Sequence, residues 1–381
     1  MAGCAARLIT GPERPGAVES AMDSLAEALG GAPELTVVFA SPHRAADLER
    51  LANLDVPGTL IGVTGEAVVG PGREIEGSAA LAIWAVRLPQ DVALKPFRIE
   101  AGARPAGDRA SESRSDGAVP AAVLLLGDPF SFAADAWLAH WNQLWRGVPV
   151  LGGMASAARR PGENRLVLNR EVFSDGAVGI ELGGPVPVRA VVSQGCRPIG
   201  RTLLVTRAEG NLIRELGRRP ALEVLQEIVA DLDESDRELL RHGLHLGRVI
   251  DEYRESFGRG DFLVRNILGI TEDGAIVVGE PIRVGQTVQF HVRDADSADQ
   301  DLRALLTRAM AEGDRPSGAL LFSCNGRGTR MFPVPDHDVT TIGEVVGDIP
   351  VAGFFAMGEF GPVSGQNFVH GFTASVALFG F

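Results

Sequence analysis

Two stretches near the C-terminus carry most of the information in this chain: GALLFSCNGRGTR, Gly318–Arg330, and IPVAGFFAMGEFGPVSGQN, Ile349–Asn367. In the first, the apolar run Ala319–Phe322 passes directly into Ser323, Cys324, Asn325, Gly326, Arg327 and Gly328. In the second, a short apolar run ends in a glycine-rich turn around Glu359. A buried strand that breaks into a glycine-rich polar turn places side chains at the rim of an open sheet. Two such turns predict two neighbouring strands that feed one pocket.

Working outward, the same order of features recurs. Pro120–Leu126 reads as a strand and Phe132–Trp145 as an amphipathic helix; VPVLGGMASA and the strand Gly176–Leu182 follow. The C-terminal copy runs from GALLFS through a helix near Val339–Val346 and IPVAGFFAMGE to TASVALF. Val148–Ala157 and Ile349–Gly358 match best, and Gly58–Glu66 is a looser third copy, preceded by the strand Glu34–Ala40 and a helix over Pro42–Leu54. A repeat of this kind implies a duplicated α/β unit and not a solenoid. The expected fold is therefore α/β: two related halves with mixed β-sheets covered by helices, internally duplicated. Residues 30–215 form the expected N-terminal domain and residues 216–381 the C-terminal one.

Between the second and third copies, about residues 185–313, the pattern changes. Strands are expected at Val188–Val192, Thr202–Thr206 and Leu212–Glu215, and helices at Ala221–Leu232 and Ser235–Arg241. Leu263–Ile270, Ala275–Val278 and Thr287–Val292 read as a meander, and Ser297–Met310 as a helix capped by Ser297. Arg104–Gly117 reads as a polar, mobile loop.

Composition narrows the function. The chain has 381 residues, 45% hydrophobic and 22% charged, as expected of an ordinary globular protein with a sizeable core. No apolar run is long enough to span a membrane, and the N-terminus lacks the pattern of a secretory signal. The net charge of −13 argues against nucleic-acid binding, which draws its affinity from phosphate neutralisation. Three well-separated cysteines, Cys4, Cys196 and Cys324, exclude a disulfide framework and a CxxC zinc site, and fit a reducing cytoplasm. Lys95, the only lysine, falls in a Pro-flanked loop on this reading, which disfavours Schiff-base chemistry. The near-exclusive use of arginine reads as coding bias.

No GxGxxG run stands between a strand and a helix, so no nicotinamide cofactor is expected, nor any other cofactor. Asp336–His337–Asp338 reads first as a helix cap and first turn, and Asp294–Asp301 as a solvated helix start without the spacing of a calcium loop. No metal site is expected.

The candidate ligand-binding residues are Ser323, Cys324, Asn325, Gly326, Arg327, Gly328, Phe355, Gly358, Glu359 and Asn367. Glycines let backbone N–H groups converge, and an arginine fork suits a carboxylate. An amino-acid-type ligand fits, with Arg327 for its carboxylate and Glu359 for its amine. The alternative is that Arg327 and Glu359 pair with each other or face water. Cys324 is a pocket thiol, a nucleophile or a small buried core residue at a strand end; as a nucleophile it has His337 and His370 as candidate bases.

FSCNGRG together with the IPVAGFFAMGEFGPVSGQNFVHGFTASVALF ending resembles the C-terminal half of a FIST module. GDPFSF, VPVLGGMASA and VSQGCRPIG are similar to its N-terminal region, and the resemblance spans roughly residues 30–380. It implies a cytoplasmic sensory module for a small ligand of the amino-acid or related small-carboxylate class, acting through a signalling partner that the sequence does not identify. No kinase, methyl-accepting or cyclase output is recognisable. A cysteine-dependent hydrolase or transferase using Cys324, or a protein-interaction scaffold, are the alternatives.

Overall fold

The computed structural model describes residues 3–103, 119–241 and 243–380. The Arg104–Gly117 loop lies outside the described residues. Contacts divide the chain into two compact units. The first comprises Met1–Ser193, Leu302–Val369 and Thr373–Phe381; the second comprises Gln194–Asp301 and His370–Phe372.

The first unit holds three copies of one α/β motif. In each, two parallel strands are joined through a helix, and a later strand returns antiparallel beside the first. Copy one has β2 (Leu35–Ala40), α2 (Ala46–Asn53), β3 (Thr59–Thr64) and β6 (Ala80–Arg87). Copy two has β8 (Ala122–Gly127), α3 (Ala134–Leu144), β9 (Val150–Met154) and β12 (Ala177–Gly183). Copy three has β21 (Gly318–Cys324), α7 (His337–Val346), β22 (Val351–Ala356) and β25 (Thr373–Phe379). A further strand flanks each sheet: β1 (Gly3–Thr10), β7 (Ala93–Ile99) and β13 (Val188–Gln194).

The β-hairpins between the parallel pair and the returning strand are exchanged cyclically. β4 (Val68–Gly70) and β5 (Arg73–Ile75) belong to copy one, yet β4 pairs with β22 of copy three. β10 (Leu166–Leu168) and β11 (Glu171–Phe173), from copy two, extend copy one through β3. β23 (Glu359–Val363) and β24 (Gln366–His370), from copy three, extend copy two through β9. The three sheets thus each have six strands, and each depends on a hairpin from another copy.

Strand alternation explains the layers. Leu35, Val37 and Phe39 of β2, Leu124 and Leu126 of β8, and Leu320 and Phe322 of β21 face one shared core. At its centre, Phe354 stacks on Phe39 at 5.4 Å between ring centroids and meets Phe322 edge-on at 6.0 Å. The alternate residues face helices. Val38 and Ala40 pack under α1 (Ala17–Leu29) and α2, Val123 and Leu125 under α3, and Ala319 and Leu321 under α7 and α6 (Ala295–Ala311). Buried apolar area of this kind is the dominant stabilising term, near 25 cal/mol per Å².

A glycine stands where each exchanged hairpin docks. A Cβ on Gly353 would lie 1.8 Å from the Leu321 carbonyl oxygen, one on Gly152 1.8 Å from that of Leu125, and one on Gly62 2.6 Å from that of Val38. The second strand therefore approaches the first too closely for any side chain.

The second unit is a closed antiparallel barrel. β14 (Cys196–Glu209) pairs with β20 (Thr287–Arg293), followed by β17 (Leu244–Val249), β18 (Phe262–Ile270), β19 (Ile276–Val278) and β15 (Leu212–Leu216). β15 pairs back onto β14 and also carries the short β16 (Arg219–Pro220). Helix α4 (Ala221–Asp231) buries Val224, Leu225 and Ile228 against Leu246, Ile276 and Phe290. Helix α5 (Glu234–Leu240) follows it.

Three expectations need correction. The meander is broken: β19 pairs with β18 and β15, while β20 lies between β14 and β17. Lys95 is not in a loop; it sits on β7 opposite Glu181. Ser297 is inside α6, and Asp294 does the capping, accepting from the Ser297 N–H at 3.2 Å and the Ser297 hydroxyl at 2.9 Å.

The close approach at Gly353 yields a prediction. Gly353→Ala should lower stability by about 3 kcal/mol or prevent folding. Gly343→Ala, on the exposed side of α7 with open space around its Cβ position, should be neutral or stabilising. Urea denaturation of the two variants checks this.

Candidate functional site

β21 and β22 are adjacent and parallel, so the turns that follow them are neighbours. Beyond Cys324 the chain folds back, with the Arg327 N–H donating to the Cys324 carbonyl at 2.8 Å and the Asn325 N–H to Ala356 at 2.9 Å. Gly328 has φ +57°, and a Cβ there would meet Glu76 Oε1 at 2.6 Å and the Phe355 ring at 2.7 Å. Two carboxylates hold the turn down. Glu76 accepts from the Thr329 N–H and hydroxyl, both at 2.9 Å, and Glu66 pairs with Arg330. Arg330 also donates to the Asn325 carbonyl at 2.6 Å.

Arg327 is 0% exposed. Its Nε and Nη2 form a two-pronged pair with Asp338 at 2.8 and 2.7 Å. The Ser323 hydroxyl donates to the same carboxylate at 2.8 Å, and His337 Nδ1 lies 2.9 Å from its other oxygen. The His337 ring stacks flat on Phe332 at 3.5 Å, and the guanidinium carbon lies 5.1 Å from that ring's centre. Burial alone would raise the Asp338 pKa, but the Arg327 guanidinium overrides it and holds the carboxyl well below its usual range. Arg327 Nη1 remains buried without a hydrogen-bond partner.

Glu359 is also fully buried. Oε2 accepts from the Thr373 N–H at 3.2 Å and hydroxyl at 2.7 Å, whereas Oε1 has no partner in hydrogen-bonding geometry. Burial pushes its pKa up to about 8, partly offset by Thr373, by the neighbouring Cys324 thiol and by the charge of Arg327. Glu74, from the exchanged hairpin of copy one, is likewise pushed up to about 8, by burial and then by the Asp338 charge. It accepts from the Val339 N–H at 3.0 Å.

The structure thus groups Ser323, Cys324, Arg327 and Glu359, with Asn325 and Gly326 half-exposed above them. Arg327 does not pair with Glu359; it pairs with Asp338. Phe355 is 2% exposed and packs beneath Gly328, while its neighbour Phe354 faces the shared core. Gly358 uses its carbonyl to accept from the Met154 N–H at 2.9 Å. Asn367 serves another place. Its amide binds Asn142 and the Val148 carbonyl, both at 2.9 Å, and its Oδ1 accepts from Val150 at 2.8 Å. It also borders a cleft of about 430 Å³ with Asp135, Asn142 and Arg146. His337, one of the two candidate bases for Cys324, is engaged with Asp338 and Phe332.

Asp338, Glu74, Glu66, Glu76 and Thr373 were not singled out as site residues by the sequence. Asp338 had a signal: an acidic residue in the first turn of the helix that follows the arginine turn. Glu66, Glu74 and Glu76 had none, because they come from a different copy. Among the described residues, no group of three or more His, Cys, Asp or Glu is arranged to hold a metal ion, and no helix is long and apolar enough to cross a membrane.

Comparison with known proteins extends over almost the whole chain. Residues 34–219 match the FIST N domain and residues 221–362 the FIST C domain. An uncharacterized protein of Mycobacterium tuberculosis (strain CDC 1551 / Oshkosh) is 45% identical over 379 residues, covering 97% of both chains. One of Mycobacterium bovis is 44% identical over 372 residues, covering 96% of this chain and 95% of its own.

Two outcomes are expected. Arg327→Ala strands the buried Asp338 carboxylate and should cost about 3–5 kcal/mol in urea denaturation; Arg327→Leu combined with Asp338→Leu should recover much of it. A carboxyl whose folded pKa exceeds its unfolded value is neutral in the native state and charged in the unfolded one between the two. Stability should therefore fall as pH rises from 4.5 to about 8, by up to about 1.4 kcal/mol per pH unit for each such group. Glu359→Gln should remove one group's share of that slope.

Proposed function

The chain belongs to the FIST family, whose domains are sensory and signal-transduction domains, and on that footing we propose that its input is a small ligand taken up at the Ser323–Gly328 turn and Glu359. The observation that carries this reading is a pair of unmet buried groups. Arg327 Nη1 has no acceptor and Glu359 Oε1 no partner in hydrogen-bonding geometry, although both residues are fully buried. Leaving such a group unsatisfied costs about 1–3 kcal/mol, which a ligand of matching polarity would relieve.

The two groups define the ligand class. A carboxylate accepts from Arg327 Nη1, and an ammonium or hydroxyl donates to Glu359 Oε1. An amino acid or a related small carboxylate supplies both. Entry requires the Asn325–Arg330 turn to lift, which breaks the Arg330–Glu66 and Thr329–Glu76 contacts. That movement would be the signal passed to a partner protein.

A second reading has one observation in its favour: the Cys324 thiol lies against a carboxyl with a pKa near that of a free thiol, a match suited to proton exchange. On that reading Cys324 is the nucleophile of a hydrolase or transferase and the ligand is consumed.

Thermal unfolding against a panel of amino acids and small carboxylates separates these. Saturating ligand should raise the wild-type midpoint by several degrees, through preferential binding to the native state. Glu359→Gln should remain folded and lose the shift, and the ligand should be recovered intact. No shift across the panel overturns the sensory reading as stated; disappearance of the ligand, abolished in Cys324→Ser, favours the second.

A further inference from the structure

The three copies of the motif act as controls for one another. Aligned on Gly62, Gly152 and Gly353 and on their strand registers, Cys324 stands where copy one has Ser41 and copy two has Asp128. By the same registers, Glu359 stands where the other exchanged hairpins have Val68 and Leu166. Both of those residues lie in the shared apolar core.

The substitutions are linked by a hydrogen bond. In copy one, Ser41 Oγ accepts from the Ala80 N–H at 2.9 Å. The equivalent donor in copy three is the Thr373 N–H, and it goes to Glu359 Oε2. Sulfur is a poor acceptor, and in copy three the carboxyl takes over the backbone contact. The Cys324 thiol donates to Asn325 Oδ1 at 3.8 Å, and it lies close enough to Glu359 and Arg327 for all three groups to interact electrostatically. In the same cluster, Glu359 Oε1 and Arg327 Nη1 are both fully buried and both without hydrogen-bond partners. A carboxyl at a core position is not what packing alone selects.

We infer that Cys324 is a modification site, oxidised to a sulfenic acid by a small hydroperoxide that fits between Glu359 Oε1 and Arg327 Nη1. This deepens the sensory reading of the same turn and rests on it. The sulfur attacks one peroxide oxygen; the S–O bond forms as the O–O bond breaks. Sulfur loses two electrons and the peroxide gains them. The thiol proton passes by way of Glu359 to the departing oxygen, which leaves as water, or as an alcohol from an organic hydroperoxide. Arg327 Nη1 donates to that oxygen as its charge develops. At 6% exposure the thiol admits only a small oxidant, and Asn325 and Gly326 are the half-exposed residues above it.

The chain contains its own references. Cys196 is 1% exposed among apolar neighbours, and burial pushes the Cys4 thiol up. The test treats the folded, reduced full-length chain with hydrogen peroxide, traps sulfenic acid with a dimedone-type probe and quantifies each cysteine by mass spectrometry. Cys324 should be labelled at least tenfold faster than Cys4 or Cys196. Glu359→Gln should keep the fold and slow Cys324 labelling at least fivefold, while leaving the other two unchanged. Cys324→Ser, which restores the residue found in copy one, should fold and show no labelling there. Labelling of Cys324 no faster than of Cys196, or unaffected by Glu359→Gln, overturns the inference. The amino-acid panel, repeated with catalase present, keeps the two readings apart: a ligand shift without Cys324 oxidation overturns this inference and leaves the ligand reading standing, whereas oxidation without a panel shift supports it and overturns the amino-acid ligand.

Discussion

Backbone contact at three glycines is the constraint on which the first unit depends. At Gly62, Gly152 and Gly353, a second strand lies so close to the first that a Cβ would collide with a carbonyl oxygen. At the same glycines the hairpin from another copy pairs. The close approach and the docking are one event: without the side chain the strand can sit tightly on one neighbour and still present its other edge for pairing. Each copy both gives and receives a hairpin, so no copy completes its own sheet. The shared core, with Phe39, Phe322 and Phe354 at its centre, follows from that arrangement.

The candidate site inherits its parts from the same exchange. The turn after β21 supplies Cys324 and Arg327, but the acids that hold it, Glu66 and Glu76, belong to copy one, as does Glu74, which accepts from the first turn of α7. Buried ion pairs stabilise little in net terms, because desolvation offsets attraction. The Arg327–Asp338 pair is better understood as fixing the geometry of the turn. A related pair, Arg44 with Asp47, joins the strand end to the helix in copy one. Glu359 has no such parallel, which is why it stands apart chemically from the rest of the network.

This division explains what the sequence revealed. Strand, helix and strand in each copy were legible, because alternating burial and helical spacing are local signals. So was the repeat itself, from VPVLGG and IPVAGF. The hairpins were read as glycine-rich turns, since three- to five-residue strands such as Val68–Gly70 leave little periodicity. Their partners were invisible: nothing near Val68 encodes a pairing with Phe354. Lys95 was misplaced for a related reason, since Pro96 looks like a loop residue, whereas β7 tolerates it as the edge strand of its sheet. Arg327, Cys324 and Glu359 could be singled out as candidates, because an arginine, a cysteine and a glutamate in glycine-rich turns are conspicuous. Asp338 was read as a helix-start residue, and its ion pair emerged only with the fold.

The exchange also bears on how the chain matures. Val68 pairs with Phe354, so the hairpin that closes the third sheet emerges from the ribosome long before its acceptor exists. Until then its edges are unpaired, and the β3 edge likewise waits for β10. Pairings of such long sequence separation are slow to form and leave intermediates prone to association. The nascent first copy must therefore persist with open strand edges until the last copy is synthesised, and a truncation anywhere before Gly353 leaves the earliest hairpin permanently without a sheet.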